Sequence, residues 1–351
     1  MACHKTRQAY KRIGVAGLML FLSHFMCRRA HADVTVLVGE PYGSFGTMMP
    51  VGHAAIFLDR VCADGPVRLR MCEPGEAAGV VIARYFHLGS YDWVASPIMQ
   101  FLYAVDRPEY VPAYATADQV AQLREIYRQQ FFETIVPDGQ QERKITDEWP
   151  ETAGAAYSRK IWGYTIDSSR EQDEQLVSML NAAPNTHLYH VATANCADFA
   201  AMILNFYYPG IVRKADKIAD FGWMSPKQVV RSVSTYAAAN PSVQLRVSEI
   251  AQVPGTLRRS RPVRGGVEGT LKTKRYLFTL MVIQPEIPAI TALLYLDHGR
   301  WQIGRGAVMS TPADFLHHVP GTAVASTGTP PSLEGSSSGA FAAAAGEVEE
   351  H

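Results

Sequence analysis

Asn195-Cys196-Ala197-Asp198-Phe199 opens the stretch that decides how this chain is read, and Ala-Ala-Met-Ile-Leu-Asn-Phe-Tyr, residues 200–207, continues it. Phe199, Ile203 and Phe206 recur at helical spacing, and Pro209-Gly210 supplies a stop, so the spacing predicts a buried helix beginning at about Cys196. A thiol in the first turn of such a helix lies beside N–H groups without intrahelical partners. These favour the thiolate, the form in which sulfur is a nucleophile. A buried cysteine on a helix is more often a small apolar side chain, so the thiol needs partners elsewhere before it means chemistry.

Upstream, Val34 to Val38 reads as a first strand, followed by a loop with Gly43 and Gly46. Gly52 to Leu58 and Val67 to Cys72 read as two strands with Asp64-Gly65-Pro66 between them, and Val80 to Ile82 as an extension of the sheet. His53 opens the first of this pair, and Glu73 closes the second. His53 is the candidate base for Cys196, brought to it by long-range folding, and Glu73 the candidate group that fixes the imidazole tautomer. Helices are expected over 116–135 and 168–181, the latter capped by Asp167 or Ser168, and another opening at Ser225-Pro226. Residues 137–165 are polar and irregular and read as an insertion or lid.

These motifs taken together resemble the permuted papain-like cysteine hydrolases, a superfamily with YiiX/YaeF-like proteins, lecithin:retinol-acyltransferase-like enzymes and relatives of NlpC-type endopeptidases. There a Gly-His strand precedes an Asn-Cys helix, matched here by Gly52-His53 and Asn195-Cys196. The resemblance spans about residues 33–240. It implies an α+β fold with an antiparallel sheet packed against the nucleophile helix, an acidic residue at Glu73 and an oxyanion-site tyrosine at Tyr189. The implied activity is hydrolysis of an amide in a cell-envelope peptide, with a lipid acyl hydrolase or acyltransferase, or an inactive envelope-binding module, as alternatives. No cofactor is implied. The long interval between His53 and Cys196 reads as an insertion over about 105–188.

The 351 residues are 47% hydrophobic and 19% charged, enough for a sizeable core. Lys5, Arg7, Lys11 and Arg12 precede an apolar run to Met26, and Ala30-His31-Ala32 follows, the pattern of a signal peptide over 1–32. Without that segment, which holds six Lys and Arg and no acid, the neutral chain becomes −6. A mildly acidic exported protein gives no reason to expect nucleic-acid binding. The catalytic domain is expected over 33–254, a basic linker and β-rich extension over 255–310, and a disordered tail over 311–351. Strands are expected at 276–283, 290–296 and 301–304. Arg258, Arg259, Arg261, Arg264, Lys272, Lys274 and Arg275 read as a solvated linker, with peripheral contact to anionic polymers or lipid headgroups as the alternative.

Cys62, Cys72 and Cys196 remain after export. If Glu73 lay opposite His53 in a hairpin, eight strand residues, about 27 Å, would separate Cys62 from Cys72. A disulfide needs Cα atoms within about 7 Å, so this register predicts two unbridged thiols, with Glu76 as a fallback orienter. His187, His190 and Cys196 are spaced like zinc ligands but lack a fourth, and no metal is expected. Gly335 to Gly339 matches the serine-hydrolase elbow only in a tail without strand or helix.

Overall fold

A computed structural model describes residues 32–43, 51–76, 79–86, 88, 91–135, 149–186, 189–214, 220, 222–272, 282, 286–296 and 300–315. The strands are β1 (Ala32–Gly39), β2 (His53–Leu58), β3 (Val61–Ala63), β4 (Leu69–Met71), β5 (Val80–Ala83), β6 (Val94–Pro97), β7 (Ile161–Ser168), β8 (Arg246–Ile250) and β9 (Val308–Ser310). The α-helices are α1 (Ile98–Tyr103), α2 (Ala117–Tyr127), α3 (Ala155–Ser158), α4 (Arg170–Ala182), α5 (Cys196–Tyr207), α6 (Pro226–Ala239), α7 (Gly266–Lys272) and α8 (Glu286–Leu294). Among these, no helix is long and apolar enough to cross a membrane.

The fold is α+β. Seven strands form one sheet in the order β6-β5-β2-β1-β7-β8-β9, antiparallel except for the parallel pair β8–β9. Alternation along the strands fills two cores. Val34, Val36, Val38, Ala54, Ile56, Leu58, Val80 and Ile82 pack with α4, α5 and α6. Leu37, Ala55, Phe57, Val81 and Ala83 turn to the other face, against α1, α3 and Tyr127 of α2. The sheet is therefore covered on both sides, and the expected sheet-on-helix packing at Cys196 is present as α5 on β2.

Several sequence expectations change. The strand ending at Cys72 does not pair with β2. The chain turns at Asp59-Arg60 into β3, and β3 pairs with β4 in a separate hairpin, Cys62 opposite Arg70. Cys62 and Cys72 are bridged across that hairpin, with Cα atoms 5.0 Å apart. The predicted pair of unbridged thiols rested on the wrong strand partner. The stretch read as lid contains β7, which pairs along its whole length with β1, so the insertion over 105–188 reaches into the middle of the sheet. Its alternation (Trp162, Tyr164, Ile166 against Gly163, Thr165, Asp167) is that of a strand rather than a loop.

Ser169, not Asp167 or Ser168, caps α4, its side chain accepting from the Gln172 N–H. The expected strand at 290–296 is largely α8, since a short apolar run does not distinguish strand from helix and Pro288 fits a helix's first turn. Residues 301–304 hold no strand, 303–306 being a turn, and β9 alone is strand there, so the extension is not β-rich among the described residues. Residues 276–281 and 283 lie outside the described residues. Within the stretch expected to be a disordered tail, Pro312–Phe315 is a 3-10 turn whose Phe315 ring meets Phe57 edge-on at 6.2 Å. Residues 316–351 and 1–31, with the signal and elbow readings, lie outside the described residues.

Candidate functional site

Asn195 fixes the start of α5. Its Oδ1 accepts from the N–H of Ala197 (2.8 Å) and of Asp198 (3.0 Å), while Asp198 Oδ2 accepts from the Asn195 N–H at 3.3 Å. This reciprocal cap is anchored by Asn195 Nδ2, which donates to the carbonyls of Val191 and Met224. The side chain is buried, so the Asn-Cys pairing has a physical reason: the cap holds the thiol of Cys196, 6% exposed, at a defined place on the helix end. It also occupies two first-turn N–H groups that the sequence reading left open for an oxyanion. Cys196 forms no disulfide.

The Gly-His pairing is equally physical. Gly52 has φ +75°, and a Cβ there would lie 2.3 Å from the carbonyl oxygen of Gly39. Only glycine lets the chain enter β2 this close to β1. The register then sets Gly39 opposite both His53 and Ile161, so the ends of β2, β1 and β7 lie level. His53 shares strand parity with Ala55 and Phe57, on the face away from α5, and its ring stacks on Tyr85 at 4.9 Å. Its Nδ1 lies 4.0 Å from Glu151 Oε2. Its Nε2 is buried with no hydrogen-bond partner among the described residues, so imidazole and thiol are not hydrogen-bonded to each other in this state.

Burial pushes His53 down to about 4, with the Glu151 carboxylate pulling it back up and Arg159 pushing it further down. The imidazole is therefore neutral at neutral pH, able to accept a proton. Glu151 is held below the usual carboxylate range: burial opposes ionisation, but Arg159, whose Nη2 lies 2.8 Å from Oε2, and His53 outweigh it. Arg159 fits because residue 39 is glycine; a Cβ there would stand 2.6 Å from Arg159 Cδ. Its guanidinium also sits 4.6 Å from the centre of the Tyr42 ring. Arg124 binds the carbonyls of Ala153 and Gly154 and the Ser158 hydroxyl, tying down the segment between Glu151 and Arg159.

Cys196, His53 and Glu151 line one cavity of about 340 Å³. Its remaining wall is mainly apolar and aromatic, with Tyr42, Phe86, Tyr189, Trp223 and Met224. Tyr189 is on the cavity wall, its ring edge-on to Phe86 at 5.4 Å. Glu73 is not. It follows β4 on the disulfide-bonded hairpin and is exposed. The fallback, Glu76, is held by Arg70 in a two-pronged ion pair at 2.5 and 2.8 Å. Neither contacts His53 among the described residues.

Glu151 is the carboxylate the sequence reading missed. It sits in a 3-10 turn inside the supposed lid, and no strand or helix periodicity pointed to it. The available signal was the company of Glu151, Arg159 and the small residues between them, a segment too apolar for an exposed loop. The described residues hold one metal-like group, Cys62, Cys72 and Glu76, but its sulfurs are spent in the disulfide. His190 is exposed, its Nδ1 3.0 Å from the Thr193 hydroxyl, while His187 lies outside the described residues. No family model, curated protein or solved structure matches this chain.

Proposed function

We propose that the protein is an exported cysteine hydrolase of the permuted papain-like kind, cleaving an amide in a cell-envelope peptide. The observation that carries this reading is the shared cavity: a thiol at a capped helix start and a neutral imidazole line the same mainly apolar pocket. The Nε2 lone pair takes the Cys196 proton as sulfur attacks the carbonyl carbon. Apo sites often hold such partners apart, and substrate closes the gap. The carbonyl oxygen becomes an oxyanion, met by the Cys196 N–H and the Tyr189 hydroxyl. The intermediate collapses, the C–N bond breaks and the imidazolium returns the proton to the leaving amine. Water then attacks the thioester with His53 again as base, releasing acid and thiol. Glu151 replaces Glu73 as the group that faces Nδ1–H and grows in value when the ring becomes charged. The apolar wall selects an apolar group on the acyl side, which an aromatic or aliphatic peptide residue and a fatty acyl chain both supply.

The test is covalent trapping with paired electrophiles, a peptidyl acyloxymethyl ketone and a long-chain ester-type thiol probe, followed by peptide mapping. Modification of Cys196, lost in His53→Ala, is the expected result, and the preferred probe names the peptide or lipid substrate. Modification that ignores His53→Ala would sink the assignment. One observation favours a second reading, an envelope-binding module: the absent hydrogen bond between His53 Nε2 and the thiol. That module would bind its ligand equally well as Cys196→Ala and turn over nothing.

A further inference from the structure

Trp223, Met224, Ser225 and Pro226 line the Cys196 cavity where the chain enters α6. Ser225 caps that helix, its hydroxyl oxygen accepting from the Gln228 N–H, and the same hydroxyl donates to Asp220 Oδ2. Asp220 is buried and lies outside the cavity lining. Its Oδ1 accepts from the Val267 N–H at 3.4 Å, and the carboxylate also takes the Gly266 N–H. Both donors belong to α7, in the stretch that reads from sequence as a basic linker. Two glycines permit the approach. A Cβ on Gly265 would stand 2.7 Å from Asp220 Oδ1, and one on Gly266 would stand 3.2 Å from the Trp223 ring. Val263, just before them, is buried in the core that packs on α5 and α6.

From the cavity wall the same network reaches the nucleophile. The Met224 carbonyl, next to Ser225, accepts from Asn195 Nδ2 at 3.0 Å, and Asn195 Oδ1 caps α5 at Cys196. Asp220, Ser225, Met224 and Asn195 are all buried, so water competes little for these bonds, and they fix position closely. We propose that Asp220 is a positioning residue for Cys196. It latches the cavity wall to α7 and, through the Met224 carbonyl and the Asn195 cap, sets where the thiol stands against a bound carbonyl. The segment from Val263 to Val267 is then a working part of the site rather than a linker. This rests on the hydrolase reading, since a thiol that attacks nothing needs no placement.

The experiment is inactivation of the full chain by a peptidyl acyloxymethyl ketone, resolved into its limiting rate, kinact, and half-saturating concentration, KI. Iodoacetamide, which needs only access to sulfur, runs in parallel. A misplacement of about 1 Å can cost on the order of a hundredfold, so a loosened latch should lower kinact by about tenfold in Asp220→Ala. Iodoacetamide should label that variant at least as fast as wild type. Asp220→Asn keeps an oxygen for the two N–H groups and an amide for the Ser225 hydroxyl, and should restore kinact to within about threefold of wild type. Gly265→Ala pushes a methyl against Asp220 with every donor and acceptor in place. It keeps the test open if Asp220→Ala folds poorly, with a loss of about threefold expected. A merely structural role would lower the melting temperature and leave kinact of the folded protein unchanged. Wild-type kinact in folded Asp220→Ala or Gly265→Ala, or a loss that Asp220→Asn does not reverse, overturns the latch. Failure of the hydrolase reading looks different: wild type itself then shows no His53-dependent inactivation, and the latch falls with it.

Discussion

At one end of β2 stands His53, and one residue past the other end stands Asp59. Asp59 is buried and His53 half-buried, and desolvation is the largest influence on each: His53 falls to about 4 and Asp59 rises to about 7. Yet the two ends differ in what surrounds the neutralised group. Asp59 sits among the Asp33 backbone, Arg60 and Asp173, and Asp173 is itself engaged by Arg60 and by the Tyr207 hydroxyl at 2.7 Å. It does not line the cavity described above. His53 opens on a pocket with a thiol in its wall and a fixed carboxylate behind its second nitrogen. A displaced titration by itself reports burial. Access, a reactive neighbour and a group that rewards the charged form are what turn burial into a candidate site.

The sharpest way to break that contrast is activity. His53→Ala and Cys196→Ala should each lower kcat/KM by about a thousandfold or more, and the double variant should be scarcely worse, because base and nucleophile act in one step. Asp59→Asn, which mimics the protonated form that burial favours in the folded chain, should leave kcat/KM within about twofold of wild type. A large loss in Asp59→Asn would mean that the two ends are not the separate cases drawn here.

Stability against pH sharpens the same contrast, because the two groups pull in opposite directions. His53 has a folded value below its ordinary 6.5, so its contribution is intact above about 6.5 and is lost as pH falls towards about 4. Asp59 has a folded value above its ordinary 3.8, so its contribution is intact below about 3.8 and is lost as pH rises towards about 7. At about 1.4 kcal/mol per pH unit, these are roughly 3 and 4 kcal/mol, order-of-magnitude figures that nearly cancel between about pH 4 and 6.5. Wild type should therefore show a shallow profile there in urea titrations. Asp59→Asn should become less stable towards acid, and His53→Phe less stable towards neutrality. Parallel profiles for all three would defeat the opposition.

How much of this was legible in the sequence divides along the same line. Gly52-His53 and Asn195-Cys196 are local: one needs a left-handed glycine before a strand, the other a capping side chain before an apolar helix, and both needs are written in adjacent residues. Strand pairing is not local. Nothing in Val67 to Cys72 says that its partner is Val61 to Ala63 rather than β2, and that single choice decided the disulfide and the fate of Glu73. Glu151 reaches His53 because β7 lies beside β1 and brings Arg159 under Gly39, a consequence of sheet order that no spacing in the chain encodes.

The disulfide gives a smaller effect at the edge of the comparison. Its loop of about ten residues predicts a loss of roughly 2 to 3 kcal/mol when Cys62 and Cys72 are both changed to Ala, by the chain-entropy estimate. Because the hairpin carries neither His53 nor Glu151, kcat/KM should not follow. A Cys62→Ala/Cys72→Ala chain that stays folded but loses activity would return Glu73, or another hairpin residue, to the site.

The smallest effect belongs to Glu151, and it isolates what the His53 end has and the Asp59 end lacks. Glu151→Gln alone is a poor probe, because it strands the buried Arg159 guanidinium, and an uncompensated buried charge costs several kcal/mol of stability. Glu151→Gln/Arg159→Gln removes both charges together. At 4.0 Å a carboxylate would favour an imidazolium by about 4 kcal/mol at an effective dielectric of 20. Arg159, bound to the same carboxylate oxygen, opposes that, and the net benefit should be on the order of 1 to 2 kcal/mol. The double variant should thus lose about tenfold in kcat with KM little changed, since the charge on His53 develops only as the proton transfers. Its acidic limb, expected near pH 4 in wild type, should move lower still, because Glu151 acts on His53 more strongly than Arg159 does. A purely structural pair would move the melting temperature and leave the limb in place. A folded double variant with wild-type kcat and an unmoved limb would remove Glu151 from the mechanism and leave His53 and Cys196 to act as a dyad.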